Sequence, residues 1–186
     1  ERQSGNPGGP VVLIQPSGSN WLTGQRDLTR AVNVMVPTSL ISLAAWLERR
    51  GRRTIVLDGY GSPAPIEHWV EIVRRERACL VGITATTSSF PQGALIARAI
   101  KQAGLGTPVV FGGVHVSAMR ESVLRLYPDI DAVVAGEGEE ALEAIIERDM
   151  RDLDGVPGIV WRRSGEVVFT GTRSSRLDLD SLPLPA

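Results

Sequence analysis

Residues 109–117, Val109-Val110-Phe111-Gly112-Gly113-Val114-His115-Val116-Ser117, pass from three apolar residues straight into two glycines. A short run that is apolar on successive positions, rather than on alternate ones, suits a strand covered on both faces, as in a parallel sheet. Four other runs share the pattern: Val11-Val12-Leu13-Ile14, Thr54-Ile55-Val56-Leu57, Leu80-Val81-Gly82-Ile83 and Ala132-Val133-Val134-Ala135. Between the runs, apolar residues recur with helical spacing. Leu40, Leu43, Ala44 and Leu47 fall at i, i+3, i+4 and i+7, with Thr38 or Ser39 placed to cap the start and Gly51 to stop the end. Ile66, Trp69, Val70 and Val73 repeat that spacing, as do Ile96, Ala99, Ile100 and Ala103. Met119, Val123, Leu126 and Tyr127 predict a helix ending near Pro128. Ala141, Leu142, Ile145 and Ile146 predict one that starts after Gly136-Glu137-Gly138-Glu139.

Strand and helix alternating in this way predict an α/β, flavodoxin-like (Rossmann-like) fold with a doubly wound five-stranded parallel sheet of order 2-1-3-4-5. Ligands of such sheets sit beyond the carboxyl ends of the strands, which directs attention to the loops after Ile14, Ile83, Phe111 and Ala135. Further on, Ile159-Val160-Trp161 and Val167-Val168-Phe169 flank Arg163-Ser164-Gly165-Glu166 and predict an appended β-hairpin. Arg173 to Ala186, with Asp178, Asp180, Pro183 and Pro185 among spaced leucines, reads as a linker leading onward. The expected organisation is a lead-in over 1–9, disordered or an expression remnant, a domain over 10–150, and the hairpin with its linker over 151–186.

Composition narrows the function classes. A chain of 186 residues, 42% hydrophobic and 22% charged, supports one folded domain with a proper core. Lys and Arg number 20 against 21 Asp and Glu, so no global field draws the chain to nucleic acid or anionic lipid. The single cysteine, Cys79, makes no internal disulfide and no Cys-rich metal site, in keeping with a reducing cytoplasm. No apolar stretch reaches the ~18 residues of a membrane span.

Four segments carry chemistry. After the third strand, Thr84-Ala85-Thr86-Thr87-Ser88-Ser89 offers five hydroxyls near a helix start, where the dipole favours an anion; capping by Ser88 or Ser89 needs only one of them. Gly112-Gly113 removes side chains where the sheet edge opens, and a tight turn explains one glycine better than two. Gly136-Glu137-Gly138-Glu139-Glu140 opens the last helix; Glu139 and Glu140 suit a first turn, while Glu137, between glycines, is placed to accept hydrogen bonds from a ligand. Pro16 to Val36 is long for a connection in a compact sandwich and suggests a lid, with Trp21 for apolar cover and Arg26 and Arg30 for polar contact. Of the two histidines, His68 lies off its helix's apolar face, and His115 sits in the ligand-facing loop, where it lines a pocket, caps a helix or approaches a metal.

Gly112-Gly113-Val114-His115, the run Asp129-Ile130-Asp131-Ala132-Val133-Val134-Ala135-Gly136-Glu137-Gly138-Glu139 and the closing Leu179-Asp180-Ser181-Leu182-Pro183-Leu184-Pro185-Ala186 together resemble the N-terminal part of cobalamin-dependent radical SAM proteins. Pro37 to Leu47 resembles that family's first helix, and Gly155 to Trp161 its strand after the domain. The resemblance implies a cobalamin whose nucleotide tail lies along the carboxyl edge of the sheet, with the corrin ring over the loops. By position, Thr84, Thr86 and Ser88 would contact the tail, Gly112 and Gly113 would let it pass, Val114, His115, Gly136 and Gly138 would line its path, and Glu137 would touch its outer groups. His115 matches the family's histidine in that loop, which that family does not generally use to ligate cobalt. Gln15, Pro16 and Ser17 would meet it after the first strand. There, cobalamin mutases carry Asp-x-His-x-x-Gly, whereas this chain reads Gln15-Pro16-Ser17-Gly18-Ser19-Asn20. The implied cofactor is therefore base-off, with no protein histidine on cobalt and no protein metal ligand.

A CxxxCxxC motif for a [4Fe-4S] cluster is absent, so the chain is expected to hold a cofactor without completing a reaction and to carry no catalytic residue. The implied partner is a radical SAM domain of the same polypeptide, which binds the cluster and S-adenosylmethionine in a methyltransferase or a cyclase. The alternative is a flavodoxin-like module binding flavin or a protein. A receiver needs an acidic cluster and a phosphorylatable Asp, where this chain has Gln15 and Thr84, and a nicotinamide site needs GxGxxG.

Overall fold

The computed structural model describes residues 8–18, 36–172 and 183. Each apolar run forms a strand: β1 Val11–Gln15, β2 Thr54–Asp58, β3 Leu80–Thr84, β4 Val109–Gly112 and β5 Ala132–Val134. They pair in parallel in the order β2-β1-β3-β4-β5, the order expected from the alternation. The helices are α1 Thr38–Glu48, α2 Ile66–Arg75, α3 Phe90–Gln102, α4 Val114–Met119, α5 Glu121–Leu126 and α6 Glu139–Glu147.

Successive strand residues point to opposite faces, and both faces are covered. Val12 and Ile14 belong to a core with Trp69, Val70, Ile96, Ile100 and Val123, so α2, α3 and α5 lie on that side. Val11 and Leu13 belong to a second core with Leu40, Leu47, Leu142 and Ile145, which places α1 and α6 together on the other side. Double coverage is the reason the strands are apolar on consecutive residues.

The hairpin, β6 Ile159–Arg163 and β7 Glu166–Phe169, is appended by direct pairing. β6 runs antiparallel to β5, with Ala132 opposite Trp161 and Val134 opposite Ile159, giving a mixed sheet of seven strands. Ile159, Trp161 and the preceding Leu153 and Val156 join the core under α1 and α6. The Arg162 guanidinium donates to the carbonyls of Leu124, Tyr127 and Ile130, satisfying groups left open at the end of α5.

Local expectations are corrected in three places. The helix predicted over Met119 to Tyr127 is two short helices, broken at Arg120, whose φ of 44° is left-handed. The break turns the buried face to Val116, Val123 and Leu124, and leaves Met119 and Leu126 exposed. Arg120 lies over the Phe169 ring, 4.9 Å from its centroid. At α1, Pro37 rather than Thr38 or Ser39 holds the N-cap position. At α3, Ser89 holds that position, but its hydroxyl accepts from Thr86 N (3.0 Å) instead of capping the first turn.

Cys79 is half-buried, and burial pushes its thiol pKa up. Among the described residues no helix is long and apolar enough to cross a membrane. The lid segment with Trp21, Arg26 and Arg30 and nearly all of the linker from Arg173 onward lie outside the described residues.

The Asp131 carboxylate joins β4 to β5: it accepts from Val109 N (2.7 Å) and from Lys101 Nζ (2.6 Å). Asp131→Ala leaves that amide without its acceptor and removes the partner of a cation that is only 24% exposed. We expect a loss of about 1–3 kcal/mol in urea denaturation, and a variant as stable as the parent would show that the bridge carries no weight.

Candidate functional site

The carboxyl ends of β1, β3, β4 and β5 open into a cleft of about 640 Å³ walled by α1 and α6. Its lining sorts by depth. The buried residues, including Leu13, Leu40, Gly82, Val110, Val134 and Leu142, are all apolar or glycine. The polar ones, Thr38, Ser39, Ser42, Thr84, Thr86, Glu137 and Glu139, are all half-buried or exposed. An apolar floor beneath a hydroxyl and carboxylate rim is therefore the basic geometry. Two carboxylates and no Lys, Arg or His belong to the described lining.

The turn after β4 is pinned to the turn after β3. Ala85 N donates to Gly112 O (2.9 Å) and His115 N donates to Ala85 O (3.2 Å). Gly113 has φ of 99°, and a Cβ there would stand 2.7 Å from Ala85 O. A Cβ on Gly112 would meet no atom within 4 Å. The two glycines thus do different work: Gly113 makes the turn, and Gly112 leaves open space. α4 then reaches the next turn, because Ser117 N donates to Gly113 O (3.0 Å) and the Ser117 hydroxyl accepts from Gly136 N (3.1 Å).

The α1 and α6 walls approach closely because residue 138 is glycine; a Cβ there would meet Leu43 Cδ2 at 3.1 Å. Farther along, Trp46 Nε1 donates to the Glu143 carboxylate (3.0 Å), and Arg50 pairs with the same carboxylate while its guanidinium lies 3.4 Å over the Trp46 ring. This cluster, with Trp46 buried and Arg50 at the surface, fixes α1 against α6.

Of the residues singled out from the sequence, Thr84, Thr86, Gly112, Gly113, Val114, Gly136, Glu137 and Gly138 line the cleft together. Val114 is 72% exposed at the rim. Ser88 stands behind it, its hydroxyl 3.1 Å from Thr86 Oγ1. Gln15, Pro16 and Ser17 lie against the turn after β2, where Gly59 N donates to Gln15 O (2.8 Å), and are not part of the described lining. His115 is outside the lining as well: its ring stacks on Phe90 at 4.5 Å and its Nδ1 is 3.3 Å from Thr87 Oγ1. His68 is exposed on α2.

Sequence reasoning missed the α1 wall. Thr38, Ser39, Ser42 and Leu43 line the cleft, although only the apolar stripe and a cap had been read there. The signal was topological: in a doubly wound sheet the helices after the first and last strands share a face and both start at the ligand edge. Leu13 and Gly82 were missed because strand interiors read as core.

Gly113→Ala is expected to cost at least about 2 kcal/mol, from the left-handed φ and the clash with Ala85 O, while Gly112→Ala stays within about 0.5 kcal/mol of the parent. Thermal or urea unfolding of the pair decides this; similar losses at both would contradict the open space beside Gly112.

Residues 27–146 match the model of the B12 binding domain. The "Uncharacterized methyltransferase PH0819" of Pyrococcus horikoshii is 29% identical over 161 residues, which is 86% of this chain and 35% of that protein. An anaerobic magnesium-protoporphyrin IX monomethyl ester cyclase of Rubrivivax gelatinosus is 28% identical over 179 residues, 92% of this chain and 31% of that protein. The chain thus spans about a third of the length of these curated relatives. The cobalamin-dependent S-adenosylmethionine radical enzyme OxsB, solved with aqua-cobalamin and S-adenosylmethionine bound, superposes with a TM-score of 0.72 at 19% identity, over 95% of this chain and 24% of that one. TsrM from Kitasatospora setae, a radical S-adenosylmethionine methyltransferase solved with cobalamin and a [4Fe-4S] cluster, gives 0.68 at 22% identity, over 94% of this chain and 30% of that one. These superpositions show a shared fold, and the family model covers more than half of the residues: the chain belongs to the B12-binding domain family.

Proposed function

We propose that the chain is the cobalamin-holding domain of a larger radical S-adenosylmethionine enzyme, a methyltransferase or a cyclase, and that the cleft beyond β3, β4 and β5 takes the nucleotide tail of the cofactor. The observation that carries this reading is the division of the cleft into an apolar floor and a polar rim. A corrinoid tail has that character, with an aromatic base at its end and a ribose, a phosphodiester and amides along its length. The floor takes the base by apolar burial. The hydroxyls of Thr38, Ser39, Ser42, Thr84 and Thr86, with Glu137, take the polar groups by hydrogen bonds. Gly112 leaves the passage between them, Gly113, Val114, Gly136 and Gly138 shape it, and Ser88 holds Thr86 in place.

Bound cobalamin supplies a cobalt centre able to carry a methyl group; the residues of this chain bind and orient it. No histidine of this chain would hold the cobalt, and the floor residues would hold the cofactor's own base. The position of His115 supports this, since its ring is engaged with Phe90 and Thr87. The cluster, the S-adenosylmethionine and the reacting substrate belong to the radical SAM domain of the same polypeptide, a reading supported by relatives of which this chain spans only 24–35%.

The purified chain mixed with hydroxocobalamin is expected to retain near-stoichiometric corrinoid absorbance after desalting, and a colourless protein overturns the proposal. Gly112→Leu fills the passage and should weaken binding by at least about tenfold with the far-ultraviolet circular dichroism unchanged. Full affinity in that variant would place the tail elsewhere.

A further inference from the structure

Resting on the corrinoid reading above, we infer that the cleft selects among corrinoids by the base that ends the tail, accepting an apolar benzimidazole and rejecting a purine such as adenine. Among the described residues, the floor has no buried side chain that could partner a purine. Every buried residue lining it is apolar or glycine, and the buried polar residues among those described, Ser89 and Thr107, lie outside it. The buried side-chain nitrogen without a partner among the described residues, Trp161 Nε1, is elsewhere too.

Three backbone groups at the edge of the floor are engaged already. Ala85 N and Gly112 O bond each other, and Ala85 O accepts from His115 N. Where β1 and β3 run side by side, Leu13 fills the place that a side chain on Gly82 would need: a Cβ there would be 2.9 Å from Leu13 Cδ2. The base therefore meets hydrocarbon. Dimethylbenzimidazole brings two methyl groups and one free ring nitrogen. Adenine replaces the methyls with an exocyclic amine and adds ring nitrogens, each losing water without gaining a partner. An apolar pocket rejects an added polar group only moderately, by up to about a hundredfold, because the penalty is the desolvation of the ligand's own unpaired groups.

The test compares three corrinoids on the purified chain by equilibrium titration: cobalamin, its adenine-bearing analogue, and cobinamide, which lacks the nucleotide. Cobalamin is expected to bind at least about tenfold more tightly than the adenine form, equivalent to about 1.4 kcal/mol, with cobinamide the weakest. Leu43→Gln, at a half-buried position of α1 beside the floor, offers an amide to the purine and should narrow the ratio to below about threefold. Leu43→Met, similar in size and without a hydrogen-bonding amide, should keep the parent ratio. Equal affinity for the two bases in the parent would overturn the selectivity and leave the corrinoid reading intact. Cobinamide binding as tightly as cobalamin would remove the tail from the cleft and overturn the selectivity with it. Failure to bind any corrinoid would sink the underlying reading, and this inference falls with that.

Discussion

The carbonyl of Ala85 occupies the space in which a side chain on residue 113 would begin. This approach holds the turns after β3 and β4 together, through Ala85 N to Gly112 O and His115 N to Ala85 O. It requires a glycine in the left-handed region at position 113, since any other residue would combine an unfavourable φ with a backbone clash. With the turns pinned, α4 starts in a fixed direction, and its Ser117 hydroxyl reaches Gly136 to hold the turn after β5. The cleft edge is thus a chain of backbone contacts that stand before any ligand arrives, so little ordering cost falls on binding there.

Topology supplies the other half of the site. Because the sheet winds in both directions from β1, the helices that follow β1 and β5 lie on the same face and both begin at the ligand edge. Their inner sides complete one core at depth and become cleft walls near the strand ends, which is why the floor is apolar and the polar groups are confined to the rim. Gly138 lets the walls approach, and the Trp46, Arg50 and Glu143 cluster fixes their spacing. The hairpin closes the far side, covering β5 with β6, so the last parallel strand presents no open edge.

Much of this was legible in the chain. Consecutive apolar residues in Val11 to Ile14 and in Val109 to Phe111 announced strands covered on both faces, and the i, i+3, i+4, i+7 spacing of Ile66, Trp69, Val70 and Val73 announced a helix with one buried side. Those signals survive because burial on a regular element imposes a period that no neighbour can alter. The break at Arg120 was illegible, since a left-handed arginine leaves no compositional mark and depends on packing beside Phe169. The same holds for His115. As a residue type it suits a metal, a cap or a pocket wall, and only its neighbours Phe90 and Thr87 define what it touches.

The sequence by itself determined the strand order, the coverage of both faces and the edge at which a ligand site had to lie, because periodicity and chain alternation are local properties that restrict the topology. Tertiary structure alone decided which wall faces that site and what each glycine does. Thr38, Ser39 and Ser42 become rim groups only when α1 is laid beside α6, and Gly113 is distinguished from Gly112 only by the carbonyl of a residue 28 positions earlier in the chain. Contacts between segments far apart in sequence arise from the folded path, and no local pattern records them.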